Sequence, residues 1–385
     1  MMGRRDSFME KGEDMVEKNV YQRLGVRTVI NGCGTWTIYG GAIMLPEVVE
    51  AMAEAAKHHV LLTELQEKAG QRIAELIGVE AAYVSSGAAG GLVLATAACV
   101  AGEDAAKIAR LPFTEGMKNE VIMHKCHRMG FDHAIRSVGV KIVEVGLASR
   151  TAPWEIEAAI NDRTAAIAYV AAMNPEATVP FEEVVEIARR HSIPTIVDHA
   201  AEIPPLSNLR KYSDLGADLV VFSGGKGLRG PQSAGLILGR RDLIEACALN
   251  SNPHHSIGRP MKVSKEEIVG MVTALELYIN KISKEELSIW EGMVVHILTA
   301  LADVPHVKAR RLFPYRPTRD VPIVVVSLDE EGLGMTRDQV VERLREEEPS
   351  VAVAPHEEGI LINPHVLLEG QERIIAAKLR EVLTN

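Results

Sequence analysis

From residue 26 onward, short apolar runs alternate with stretches whose apolar positions recur every three or four residues. The runs at 26–30, 81–84, 121–123, 141–145, 167–173, 195–197, 219–222 and 234–238 predict strands, and the stretches 47–58, 65–77, 92–100, 127–138 and 181–191 predict helices. Pro46 suits a first helical turn, and Gly78 suits a left-handed helix stop. From residue 120 the alternation is strand, helix, strand, which predicts an α/β fold with a mainly parallel sheet between two layers of helices. Past residue 240 come a helix to about 249, a polar loop over 251–262 and a long helix from 264. A second alternation follows, with strands at 323–328, 351–354 and 359–363, a helix at 336–346 and a final helix. The pattern thus divides the chain into an arm (1–28), a large domain (29–262), a linking helix (263–290) and a small C-terminal α/β domain (291–385).

In open α/β sheets ligands gather at the carboxyl ends of the strands, and the chemically informative residues fall there. The strand ending at Phe222 runs into Ser223-Gly224-Gly225-Lys226-Gly227. A lysine between glycines at the end of a buried strand loses proton affinity by desolvation and becomes a nucleophile. That arrangement suits a pyridoxal 5′-phosphate Schiff base, with Ser223 offering its hydroxyl to the phosphate. A glycine-rich hairpin carrying a solvated lysine is the competing account.

Ser85-Ser86-Gly87-Ala88-Ala89-Gly90-Gly91 joins a strand to a helix, so Ser86, Gly87 and Ala88 form a phosphate cradle at a helix N-terminus or serve tight helix packing. The turn is neither a Walker loop nor a GxGxxG dinucleotide turn. Asp198 ends the run 195–197, where a buried carboxylate keeps a pyridine ring nitrogen protonated or simply caps a turn. Ala200 or His199 would pack on that ring, with His127, ahead of His133, on its other face. Asn174 could donate to the cofactor's phenolic oxygen, or serve only as a turn residue before Pro175. A phosphate turn, a ring-stacking histidine, an aspartate and a lysine in this order are harder to reach by chance than any one of them.

Composition narrows the partners. With 42 basic and 52 acidic residues, the net charge of −10 disfavours nucleic acid. Four scattered cysteines read as reduced thiols in a cytoplasmic protein, and neither they nor the histidines have metal-ligand spacing. The N-terminus has no signal-peptide core. The uncharged run 81–102 matches a membrane span in length, but its small residues fit a strand, a turn and a buried helix better.

The motifs SSGAAGG, VDHAA and FSGGKGLRGPQSAGLILG, in this order, resemble the branch of fold-type I pyridoxal phosphate enzymes related to L-seryl-tRNA selenium transferase. GMKNEVIMHKCHRMGFDHAIR and HSIGRPMKVSKEEI resemble, within it, the subgroup of D-glucosaminate-6-phosphate ammonia lyases. The resemblance implies Lys226 as the Schiff-base lysine, Asp198 as the ring-nitrogen partner, and Ser86, Gly87 and Ser223 as phosphate contacts. It also implies a homodimer or larger assembly, and a lyase that eliminates water and ammonia from an amino sugar acid. Transamination, racemisation, aldol cleavage and selenium transfer start from the same chemistry, and a tRNA-binding relative is the non-enzymatic alternative. Many fold-type I enzymes carry the carboxylate-binding arginine in a segment like RISPH, where this chain has Leu361-Ile362-Asn363-Pro364-His365. Arg259 and Lys262 are the expected substrate-anion cations in its place, with Arg316 behind them.

Overall fold

The computed structural model describes residues 19–316 and 318–384, so most of the expected N-terminal arm lies outside the described residues. In chain order the strands are β1 (Val29–Asn31), β2 (Ala81–Ser85), β3 (Glu120–His124), β4 (Lys141–Val145), β5 (Thr164–Val170), β6 (Thr195–Asp198), β7 (Leu219–Ser223) and β8 (Gly235–Gly239), then β9 (Val307–Leu312), β10 (Ile323–Leu328), β11 (Ser350–Ala352), β12 (Ala354–His356) and β13 (Gly359–Ile362). Seven of them form one sheet in the order β2-β8-β7-β6-β5-β3-β4. Only β8 runs against its neighbours, and the remaining pairs are parallel.

Because successive side chains of a strand point to opposite faces, these unbroken apolar runs make the sheet apolar on both faces. Val220 and Phe222 enter one core, together with Val48, Ile73, Phe181 and Met271 from the helices on that side. Leu219 and Val221 enter the other, against Leu92, Leu94 and Ala95 of the helix Gly87–Ala101. The expected linking helix, Lys265–Asn280, lies in the first of these cores through Ile268, Met271, Leu275 and Tyr278. Full burial of each aliphatic side chain is worth about 1.5–3 kcal/mol.

A second, antiparallel sheet, β12-β13-β10-β9, packs with the C-terminal helices into a separate core. Although the pattern grouped residue 29 with the large domain, β1 pairs in parallel with β11 and sends Ile30 into this C-terminal core.

Two further departures from the sequence expectation bear on the site and the sheet edge. The predicted helix 127–138 is broken into the 3₁₀ turns Lys125–His127 and Gly130–Asp132 and the short helix His133–Arg136. Gly130 weakens the helix, and buried Asp132 draws Arg128 (2.6 Å) and Arg136 (2.8 Å) onto itself. The edge strand β9 was not foreseen, because Lys308, Arg310 and Arg311 make it read as polar; charges of this kind also keep an edge strand from pairing further.

At the junction of the two cores, Glu286 is buried with both carboxylate oxygens unpartnered and Arg229 Nε 3.7 Å away. Burial pushes its carboxyl from 4.5 up to about 8, with Arg229 opposing. A raised folded-state pKa gives stability that is complete below the unfolded value and is lost as pH rises through the folded one. Glu286→Gln is therefore expected to flatten a decline in Tm between about pH 5 and 8, read by thermal unfolding at each pH.

Candidate active site

The strand register builds the phosphate end of the site. Ser85 pairs with Gly235, and Gly235 with Ser223, so the ends of β2 and β7 lie side by side across β8. A Cβ on Gly235 would stand 2.5 Å from the Gly87 carbonyl carbon, which is why glycine is needed where the turn rests on the sheet. Gly87 itself has φ +67° and opens the helix Gly87–Ala101, whose N-cap residue Ser86 makes no side-chain capping bond. The first-turn N–H groups around Gly87 and Ala88 lack intrahelical acceptors and sit at the positive end of a fifteen-residue helix, next to Ser223.

Lys226 follows on a turn closed by Gly230 N–H to Gly224 O (2.9 Å) and Arg229 N–H to Lys226 O (3.0 Å). A Cβ at Gly227 would lie 2.3 Å from the Ile203 carbonyl oxygen, and one at Gly225 2.4 Å from Gln232 Cα. The glycines beside Lys226 are thus required by backbone contact, contrary to a loose hairpin. The glycine-dense loop after β1 reaches this turn, where Ala42 N–H donates to Gly225 O (2.9 Å). Lys226 is half-buried, and burial lowers its proton affinity, opposed by Asp198 and assisted by Arg319.

Asp198 pairs with Val170 on one side and Val221 on the other, which places it at the carboxyl end of the sheet's centre. Burial raises its pKa, and Ala200 N–H, donating to Oδ1 at 3.1 Å, and Lys226 oppose the rise. His199 turns away into the core beside Tyr212 and Phe222, with neither ring nitrogen bonded and its pKa lowered to about 3 by burial. His127 lines a small cavity with Asp198, Leu92 and Ile196. Its Nδ1 accepts from Val170 N–H (3.2 Å), so its proton is on Nε2, which donates to Met173 O (3.1 Å). Burial lowers its pKa to about 3, and it is neutral at physiological pH. Asn174, in the left-handed region at φ 47°, spends an amide N–H on Cys126 O (2.9 Å), which ties its loop to the His127 turn.

Arg259 and Lys262 are not brought to this constellation within the chain. Arg259 donates to Asn252 (3.3 Å) in its own loop, and Lys262 is exposed. Instead Arg319 and Arg316, from the segment before β10, act on Lys226. The sequence reading missed Arg319; its signal was a second arginine three residues beyond Arg316, directly ahead of an apolar strand. The 361–365 stretch is anchored to the lysine turn, with Arg229 Nη2 donating to His365 O (3.0 Å).

The family model for L-seryl-tRNA selenium transferase matches residues 29–319. The chain belongs to the L-seryl-tRNA selenium transferase family. It is 34% identical to the D-glucosaminate-6-phosphate ammonia lyase of Salmonella typhimurium over 94% of this chain and 98% of that protein. It is 33% identical to a 5′-C-glycyluridine monooxygenase-decarboxylase of a Streptomyces species over 94% of this chain and 92% of that protein. A solved D-glucosaminate-6-phosphate ammonia-lyase superposes with a TM-score of 0.85 at 33% identity, over 96% of this chain and 99% of that one. More distant fold-type I structures, such as a serine palmitoyltransferase at 13% identity and TM-score 0.56, share the fold. Membership of the family confirms the fold class read from the motifs, with a mixed, mostly parallel seven-stranded sheet and a smaller antiparallel one.

Proposed function

We propose that this family member is a pyridoxal 5′-phosphate-dependent lyase that converts D-glucosaminate 6-phosphate, or a closely similar amino sugar acid, into a 2-keto-3-deoxy acid and ammonia. The observation that carries the reading is Lys226, fixed between glycines that cannot be replaced without backbone collision and coupled in charge to the half-buried carboxylate of Asp198. The residues fit the cofactor: an uncapped helix N-terminus beside Ser223 for the phosphate, the half-buried Asp198 carboxylate at the end of β6 for the ring nitrogen, and a desolvated amine on the turn after β7. When bound, pyridoxal 5′-phosphate supplies an aldehyde for the amine and a ring that takes up the electron pair left at the α-carbon.

Ser86, Gly87, Ala88 and Ser223 hold the phosphate by N–H and hydroxyl donors. Asp198 would hold a proton on the ring nitrogen, and His127, its own nitrogens both engaged, would offer a ring surface on the cavity it shares with Asp198. Lys226 is the base that removes the α-proton, a role its lowered proton affinity suits. The proton that Lys226 has taken would return to the β-hydroxyl, which leaves as water, and the released enamine takes up water to give the keto acid and ammonia. Asn174, Arg259 and Lys262 belong to the proposal as outer contacts, the last two reaching a site across a homodimer or larger assembly. A cytoplasmic setting accords with the described residues, none of whose helices is long and apolar enough to cross a membrane.

The Streptomyces relative supplies a different chemistry at nearly equal identity. The test must therefore separate the two. Purified protein with pyridoxal 5′-phosphate and D-glucosaminate 6-phosphate is expected to release keto acid and ammonia in equal amounts without oxygen uptake. Oxygen consumption with carbon dioxide release, or no keto acid, would overturn the lyase.

A further inference from the structure

We infer that Arg319 is the cation that receives the substrate's α-carboxylate. The inference rests on the amino sugar acid reading and identifies the partner of one of its two anions. The carboxylate is one bond from the carbon that reacts at Lys226, whereas the phosphate is at the far end of the six-carbon chain. The cation for the carboxylate must therefore stand beside Lys226. The geometry brings Arg319 to that turn: its ion-pair partner Glu202, 3.6 Å away, directly precedes Ile203, whose carbonyl oxygen lies against Gly227, and the charges of Arg319 and Arg316 both lower the proton affinity of Lys226.

The backbone fixes where Arg319 enters. Arg319 N–H donates to Arg316 O (3.0 Å) and Val321 N–H to Arg319 O (2.9 Å), immediately ahead of β10. The side chain is 6% exposed, so its guanidinium has left water, yet Nε has no hydrogen-bond partner. Its nearest carboxylate, Glu202, is 3.6 Å from Nη2, too long for a hydrogen bond. The other carboxylate oxygen, Oε2, accepts from the Thr318 hydroxyl (2.5 Å), and the main-chain carbonyl of Glu202 accepts from the Asn208 amide (2.5 Å). Glu202 Oε1 thus offsets the charge of Arg319 from 3.6 Å and leaves Nε without an acceptor. Glu202 lies on the loop whose Ile203 packs on Gly227, which ties this ion pair to the lysine turn.

His365 adds a second incomplete group. It is 1% exposed with neither ring nitrogen bonded, and burial and the nearby Arg319 and Arg229 keep it neutral. A buried guanidinium N–H without an acceptor is costly, and a bound carboxylate satisfies it with charge-assisted bonds. The chain lacks an arginine in the 361–365 stretch, but Arg319, from the segment before β10, lies near enough to both Lys226 and His365 for its charge to bear on each.

The test compares D-gluconate 6-phosphate with D-glucitol 6-phosphate on cofactor-loaded protein by calorimetry. The two lack the reacting amine and differ only in carboxylate against hydroxymethyl. Native protein is expected to prefer the carboxylate on the order of 10- to 100-fold. Arg319→Gln should erase that preference while leaving glucitol 6-phosphate affinity and cofactor content unchanged, and Arg319→Lys, which keeps the charge beside Glu202, should retain part of it. If Arg319→Gln does not fold, the lysine variant carries the test. No preference in the native protein, or an unchanged one in the folded variants, would overturn the assignment. Absence of keto acid from D-glucosaminate 6-phosphate in native protein that still shows the preference would instead overturn the substrate reading alone.

Discussion

Lys226→Ala is expected to lower turnover at least about 10³-fold and to leave the cofactor free to dialyse away. The side chain is asked to do two things at one position: hold the aldehyde covalently, then accept the α-proton. Alanine can do neither. Lys226→Arg keeps the charge but has no nucleophilic nitrogen near neutral pH, so it should fail equally. Borohydride reduction of native protein should fix a pyridoxyl mass on the peptide containing Lys226, and on neither variant. The fold should survive, because the turn is closed by the backbone bond between residues 224 and 230, which does not involve the lysine side chain. Burial also disfavours its charged form, so its loss removes a penalty along with some packing. Native-like thermal unfolding with full retention of a pyridoxyl adduct elsewhere would place the chemistry at another residue.

The sheet was legible because its strands are short unbroken apolar runs, which alternate side-chain direction turns into two apolar faces. Val220, Phe222, Leu219 and Val221 could be read as one buried strand, and the structure shares them between two cores. The phosphate turn and the lysine turn were legible for a related reason: small residues follow each strand where backbone must meet backbone, as at Gly227 and Gly235. What stayed hidden depended on long-range pairing. β1 looked like the first strand of the large domain, and only its register with β11 shows it joined to the C-terminal core. His127 sat in a stretch with helical periodicity, and tertiary contacts broke that helix and clamped its ring between Val170 and Met173. Arg319 carries no local signal beyond its charge. Its significance comes from Glu202 and Lys226, each roughly a hundred residues away in sequence.

Asp198→Asn tests the other half of the catalytic pair. The amide keeps the shape and can still accept from Ala200 N–H, so the local turn should persist. It cannot balance a protonated ring nitrogen, and turnover is expected to fall on the order of 10²- to 10³-fold, comparable to removing one preorganised electrostatic partner. Stability should move the opposite way in protein stripped of cofactor. Burial raises the folded-state pKa of Asp198 above its ordinary 3.8, so its stabilising protonated form is lost as pH rises. Near pH 7 the cofactor-free Asn variant should therefore unfold at a higher temperature than native protein, with the gap closing toward pH 4 and below. Adding pyridoxal 5′-phosphate should raise the native Tm more than the variant's, because only the native carboxylate gains a cationic partner. Equal cofactor-induced shifts in the two proteins would separate Asp198 from the ring nitrogen, whatever the fall in turnover. A smaller shift in the Asn variant, together with its higher cofactor-free Tm, would show that the buried charge is maintained for the cofactor at the expense of the empty fold.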